Sequence, residues 1–262
     1  MAATAIAFDN VCKSFDGGRV QAVDRVSLAV AKGELLCIVG GSGSGKTTLL
    51  RLTNRLIEAD SGTIAIDGHN IAGSDPIALR RRIGYVFQSA GLFPLMSVGE
   101  NVGITPRLTG ASASAIATRV AELLVLVRLE PQRYRDRLPH ELSGGERQRV
   151  GVARALAAEP KIVLMDEPFG ALDPLTRDSL GEDFRSLHNK LRLTSIMITH
   201  DMTEAMLLAD RIAVMRSGTL VATGTAAELA TSDEPYVREL MSTPRRQTAK
   251  LNALMGDAGA QP

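Results

Sequence analysis

The chain has 262 residues and a net charge of +1, with 45% hydrophobic and 23% charged residues. That balance suits a globular protein able to bury a substantial core, and it excludes a strongly basic nucleic-acid binder or an acidic disordered chain. Cys12 and Cys37 carry no metal-ligand spacing, and no apolar run approaches the roughly 18 residues of a membrane span. Even Leu123–Val127, the densest run, is bounded by Glu122 and Arg128. Met1–Phe8 has neither a basic leader nor a long apolar core, so no secretory signal is expected. The expectation is a soluble, cytoplasmic protein that would serve a membrane only through a partner.

In chain order, Ile6–Val11 and Val23–Val30 alternate as strands do, separated by the turn Asp16-Gly17-Gly18. Glu34–Val39 is a short apolar run ending in glycines, the pattern of a buried strand, and Lys46 to Leu56 carries helical periodicity. Thr63–Asp67 is a further strand closed by Gly68; Ile83–Phe87 is another, preceded by the basic run Arg80-Arg81-Arg82. From Ser97 to about Ala158 the period is helical throughout, and Val120, Leu123, Leu124 and Val127 form one apolar face suited to core packing. Ile162–Met165 and Ser195–Thr199 return to buried-strand character, each followed by a helical stretch. Arg211–Met215 and Thr219–Ala222 flank Ser217-Gly218 as a hairpin. After Thr231 come a short helix and a polar tail, Arg245–Pro262, expected to fray or to act as a dimer contact. Strands alternating with helices imply a mainly parallel sheet, with the helical block inserted as a lobe.

Gly40-Gly41-Ser42-Gly43-Ser44-Gly45-Lys46-Thr47 matches the phosphate-loop pattern G-x-x-x-x-G-K-[ST] in full. Glycines let successive N–H groups turn inward around phosphate oxygens, and the following helix points its positive end at them. Lys46 then reaches the β- and γ-phosphates, and the Thr47 hydroxyl can ligate Mg²⁺. Ile162–Met165 ends in the carboxylates Asp166 and Glu167. Asp166 fits a Mg²⁺ partner through water, and Glu167 a base that polarises the attacking water. An acidic pair at a strand end is by itself only a solvated terminus; beside a phosphate loop it becomes a hydrolytic site. Ser143-Gly144-Gly145-Glu146 has the spacing of a capping box that opens a helix, and a capped helix start with two glycines is a second anion site.

Leu142–Glu146, followed by Arg147-Gln148-Arg149, resembles the signature motif of ABC (ATP-binding-cassette) ATPases. The resemblance extends from about Ile6 to Leu240, with every motif in order. It implies a P-loop NTPase (RecA-like) α/β core with an antiparallel β subdomain and an inserted α-helical subdomain. The implied ATPase domain spans 1–240, with core and β subdomain in 1–96 and 159–230, a helical subdomain at about 97–158, and a flexible tail at 241–262. Two copies would close head to tail around two ATP molecules, each nucleotide lying between one phosphate loop and the partner's Ser143, Gly144 and Gly145. Phe15 takes the place of an aromatic stacked on adenine, and Thr48 joins the phosphate-loop contacts. Gln88 matches the glutamine that senses Mg²⁺ and the membrane partner, Asp173 the loop linking the two sites, and His200 the switch histidine at the γ-phosphate. Many members have Gln at the place of Glu146, so its contact with nucleotide is left open.

A standalone cassette resembles those of bacterial importers. Repair-type members insert a long coiled coil between phosphate loop and signature, and here Lys46 and Ser143 are too close; no nucleic-acid partner is expected. Asn54–Glu58, Leu79–Gln88 with Gly91–Pro94, Glu167–Pro174 and Thr199–Ala205 are similar to the ATPases of osmoprotectant and quaternary-amine importers (glycine betaine, choline, carnitine). These stretches shade into cassettes for other small solutes. Several members continue into paired CBS domains and this chain ends first, so osmotic gating by that route is not expected. The implied partners are a second copy, a permease contacting Gln88–Val102 through apolar Leu92, Phe93, Leu95 and Met96, and indirectly a periplasmic or lipid-anchored binding protein. The implied place is peripheral, on the cytoplasmic face of the inner membrane.

Overall fold

The computed structural model describes residues 3–258. Strands β1 (Thr4–Phe15) and β2 (Val20–Ala31) pair antiparallel across a single 3-10 turn at Asp16–Gly18. Both are longer than the sequence predicts. Alternate residues are buried, Ile6 and Phe8 on β1 and Val26, Leu28 and Val30 on β2, the period of a sheet with one solvated face; an irregularity in register between Phe8 and Val11 brings Val11 to the same core. β3 (Leu35–Val39) starts a second sheet, and α1 (Lys46–Thr53) follows after a glycine-rich loop. α1 ends before the expected Leu56 because Arg55 takes a left-handed φ of 54°, which no helix can propagate. β4 (Ser61–Ile66) and the short β5 (His69–Asn70) complete the first sheet in the order β2-β1-β4-β5.

Helix α2 (Pro76–Arg81) was not anticipated, although its signal is plain: Asp75 accepts from the amides of Ile77 and Ala78, and Pro76 occupies the first turn. β6 (Ile83–Val86) leads into the helical block. That block comprises α3 (Val98–Leu108), α4 (Ala113–Leu126), α5 (Pro131–Tyr134) and α6 (Gly144–Leu156). Ser97, Ser112 and Ser143 each cap a helix start with the side-chain oxygen. Val120, Leu123, Leu124 and Val127 are buried together, as their spacing predicts.

Strand β7 (Ile162–Asp166), helix α7 (Pro174–Leu191), β8 (Thr194–Ile198), α8 (Met202–Leu208) and the hairpin of β9 (Arg211–Arg216) and β10 (Thr219–Gly224) follow. The second sheet has the order β10-β9-β3-β8-β7-β6, parallel except for β10. β3 lies inside it, bonded to β8 and β9, and divides the core. Leu35, Cys37 and Val39 face the helices α3, α4, α6, α7 and α8, while Leu36 and Ile38 face α1 and the first sheet.

Helix α9 (Ala226–Ala230) carries a capping box between Thr225 and Glu228 that was also readable in advance. Where a short helix and a frayed tail from Arg245 were expected, α10 (Pro235–Ala258) is helical over 24 residues. Val237 and Met241 bury its first turns in the main core, which gives the helix a nucleus to propagate from. Residues 259–262 of the expected tail lie outside the described residues. Among the described residues, no helix is long and apolar enough to cross a membrane.

Candidate nucleotide site

The phosphate-loop segment Gly40–Gly45 joins the end of β3 to the start of α1, between the backbones of β2 and β9. Glycine is required by that squeeze: a Cβ on Gly45 would sit 2.0 Å from the Ala22 carbonyl, and one on Gly40 2.1 Å from that of Met215. Gly45 also takes a left-handed φ of 98° as the residue before α1. Lys46 is 7% exposed, and its ammonium donates to the carbonyls of Gly40 and Gly41 at 2.9 Å and to the Ser44 hydroxyl at 3.3 Å. Burial draws its pKa down, while Glu167 and Asp166 oppose that shift. Ser42 and Gly43 are exposed at the crest of the loop, and Thr48 is half-buried on α1.

Parallel pairing of β6, β7 and β8 brings three further strand ends to this place. The Thr47 hydroxyl lies 3.2 Å from Asp166 Oδ1, and the Tyr85 hydroxyl 3.5 Å from Oδ2. Burial pushes the Asp166 carboxyl up, partly offset by Thr47 and the Arg51 cation; burial and Asp166 push the Tyr85 phenol to about 12. Glu167 takes a left-handed φ of 45°, with its amide bonded to the Ile198 carbonyl. One of its carboxylate oxygens, Oε2, accepts from Gln88 Nε2 at 2.9 Å and lies 3.3 Å from His200 Nδ1. Lys46, Thr47, Gln88, Asp166, Glu167 and His200 thus converge from four strand ends. Thr47 and Asp166 offer hard oxygen donors without a closed cage, which fits Mg²⁺ shared with phosphate better than a resident metal site. No group of three or more His, Cys, Asp or Glu among the described residues could hold a metal by itself.

Ser143, Gly144 and Gly145 form a second place, at the start of α6. Ser143 Oγ accepts the Glu146 amide, and Glu146 Oε2 accepts the Ser143 amide at 2.7 Å. Glu146 Oε1 takes the Tyr134 hydroxyl at 2.6 Å, so both carboxylate oxygens are engaged and the group is held below the usual carboxyl range, chiefly by Tyr134. A Cβ on Gly145 would approach Thr176 Cγ2 to 2.6 Å, so the two helix starts abut. Asp173 caps α7 there by accepting the Thr176 amide at 3.1 Å. Phe15 closes β1, partly exposed, with Lys13 Nζ 5.6 Å from its ring.

Sequence patterns missed the groups that shape the loop after β6. Asn101 is fully buried on α3, donates to the carbonyls of Phe93, Met96 and Ser97, and accepts the Phe93 amide. From α6, Gln148 donates to the Phe87 carbonyl, and Arg154 to those of Ala90 and Gly91 at 2.7 and 2.6 Å. Two polar residues, Gln148 and Arg154, in a helix buried over most of its circumference were the available signal. Phe87, Phe93 and Leu95 remain exposed on this segment, Leu95 by 92%.

A parallel sheet with a phosphate loop at the end of an inner strand and paired carboxylates at the end of a neighbour defines a P-loop NTPase fold. The chain belongs to the ABC transporter family, whose model matches residues 23–170. Its sequence is 49% identical over 92% of its length to the choline transport ATP-binding protein OpuBA of Bacillus subtilis, covering 63% of that protein. It is 52% identical over 84% of its length to the glycine betaine/carnitine/choline transport ATP-binding protein OpuCA of the same organism, covering 58% of it. The chain therefore spans about three-fifths of the length of these relatives. Among solved structures, a dimeric ATP-binding cassette with bound ADP and phosphate superposes with a TM-score of 0.76 at 32% identity, covering 84% of this chain and 98% of that one. CbiO1 of Clostridium perfringens, part of an ABC transporter complex, superposes with a TM-score of 0.80 at 27% identity, covering 98% of both chains.

Proposed function

We propose that this protein is an ATP-hydrolysing subunit that works as one half of a head-to-tail homodimer and powers a bacterial importer for quaternary amines. The observation that carries the hydrolytic reading is the Glu167 carboxylate, steadied on one oxygen by Gln88 and His200 beside Lys46, Thr47 and Asp166. Held that way, Glu167 can orient a water for in-line attack while His200 faces the γ-phosphate. Lys46 and the amides at the start of α1 would offset the charge that develops on the equatorial oxygens. Thr47, with Asp166 acting through water and Gln88 nearby, would hold Mg²⁺, which would supply positive charge against the phosphates. Phe15 would stack on adenine, and Gly40 to Thr48 would cradle the phosphates.

Ser143, Gly144 and Gly145 would meet the γ-phosphate of the partner's nucleotide, with Asp173 linking the two sites. Glu146 would keep its capping role and stay off the nucleotide. The cassette would occupy 1–240, its helical subdomain about 97–158. The exposed apolar groups of Gln88–Val102 would receive the permease on the cytoplasmic face of the membrane, with a binding protein delivering the solute from the other side. The quaternary-amine assignment rests on OpuBA, OpuCA and the glycine betaine uptake protein YehX of Escherichia coli, 45% identical over 86% of this chain. A sulfate/thiosulfate import protein of Bacillus cereus at 43% identity over 90% of the chain supports a second reading, an importer of another small solute.

The test is ATPase activity against protein concentration, with Lys46→Ala as control. Specific activity that rises with concentration and disappears in Lys46→Ala is expected. Activity independent of concentration, where the protein is monomeric, would remove the sandwich dimer. Uptake of radiolabelled choline or glycine betaine by vesicles carrying the assembled transporter then separates the two solute readings.

A further inference from the structure

Gly41 donates its amide, at 3.0 Å, to the hydroxyl of Tyr236, a residue 195 positions later in the second place of α10. We infer that Tyr236 is a positioning residue for the phosphate loop, and that α10 thereby sets how well the loop is prepared for nucleotide. The inference rests on the nucleotide-binding role proposed above for that loop and deepens it.

The loop has little of its own to hold its shape. Four of its six residues, Gly40 to Gly45, are glycine, and each ordered glycine gives up more backbone freedom than any other residue. Its ordering comes from outside contacts. The Gly218 amide donates to the Ser44 carbonyl, Ser44 closes a turn by donating to the Gly41 carbonyl, and Lys46 caps the carbonyls of Gly40 and Gly41. Apart from the Ser44 amide within the turn, those bonds fix carbonyls of the loop. Tyr236 instead takes an amide, that of Gly41 at the first turn of the segment, and does so from a helix far along the chain.

The phenol is itself fixed. The Arg216 guanidinium lies 4.9 Å from its ring centroid, and Arg216 directly follows Met215, whose carbonyl presses on Gly40. Glu234 accepts the Tyr236 amide at 3.3 Å. The next residue, Val237, is fully buried, and Met241 one turn on is nearly so, so the ring rides on an anchored helix. A rotation of α10 about its buried face would move the hydroxyl off Gly41, whereas the other three contacts come from the loop itself or from the β9–β10 turn.

Tyr236→Phe removes the acceptor and keeps the ring, its packing and its contact with Arg216. Titrating the full chain with ATP in the non-hydrolysing Glu167→Gln background, the added Tyr236→Phe substitution is expected to weaken affinity about fivefold, the loss that follows from one neutral hydrogen bond. In the Glu167-containing protein, KM for ATP is expected to rise similarly while kcat stays within about twofold, because the contact acts on binding and not on the transition state alone. Exchange of the Gly41 amide, read by NMR in nucleotide-free protein, is expected to accelerate with no change in melting temperature. Unchanged or tighter ATP binding would overturn the inference, even with faster Gly41 exchange, and so would a fall in kcat at constant KM. Lys46→Ala separates the two levels. If it loses ATP while Tyr236→Phe binds normally, only the role of Tyr236 is lost. If Lys46→Ala binds like the unsubstituted chain, the phosphate-loop reading fails and the role of Tyr236 falls with it.

Discussion

Glu167 concentrates the chemistry in one side chain, and its surroundings make its removal informative. Glu167→Gln keeps size and shape and still can bond Gln88 and His200, so ATP affinity should persist while turnover falls about 10²–10⁴-fold, the usual worth of a general base. Single-turnover hydrolysis beside equilibrium binding reads both; hydrolysis at the unsubstituted rate would remove Glu167 from the mechanism. His188 is a second residue with a measurable consequence, far from phosphate chemistry. It lies on α7, 1% exposed, with neither ring nitrogen bonded among the described residues. Burial and then Arg185 hold its pKa below the ordinary 6.5, against weaker pulls from nearby Asn189 and Asp210. The unfolded chain therefore binds the proton more readily than the folded one, so stability falls as pH drops through 6.5 toward the lower folded value. His188→Leu should flatten that acid-side loss in urea titrations between about pH 5 and pH 7; an identical slope would assign the loss to other groups.

At the scale of elements, α6 joins the two functional places. Its start carries Ser143–Gly145, and further along it Gln148 holds the Phe87 carbonyl and Arg154 those of Ala90 and Gly91, on either side of Gln88. Arg154 is 8% exposed and has no carboxylate partner among the described residues; its guanidinium instead forks onto two carbonyls and lies 5.8 Å from the Phe87 ring. Arg154→Met fills much the same space and orphans both carbonyls. It should cost about 1–3 kcal/mol in denaturant unfolding, and Arg154→Lys should recover little because an ammonium lacks the fork. At the opposite end, Ser143→Ala should lower stability by about 1 kcal/mol through loss of the cap. A loss below a few tenths would mean that the Glu146 half of the box suffices.

The same elements show how far the sequence could be read. The phosphate loop, the acid pair and the capped α6 were legible because each needs a fixed residue type at a fixed spacing. Asn101, Arg154 and Tyr236 were not, since their partners are backbone groups brought near only by tertiary packing. α2 and α9 lay within reach: Asp75-Pro76 and the Thr225–Glu228 box announce them, but their runs are too short to set up a helical period. The extent of α10 escaped because a polar stretch holds its helix only when anchored, and the anchor, Val237 with Met241, precedes it.

For the whole molecule, the two sheets and the helical layer meet at β3, so the strand that delivers the phosphate loop is bounded on both faces and both edges. Its edge partners come late. β8 begins at Thr194 and β9 at Arg211, and the Leu35 amide bonds Asp210 across 175 residues. A ribosome adding roughly 5–20 residues per second exposes the finished loop sequence for some ten to thirty-five seconds before its last neighbour exists. A fragment ending at Gly170 would contain the phosphate loop, the signature and both carboxylates, yet leave β3 unpaired along both edges; it should bind no ATP. The site is thus written early in the chain and assembled only after β8 and β9 have been made, which makes the nascent chain, more than the finished protein, the form in need of protection.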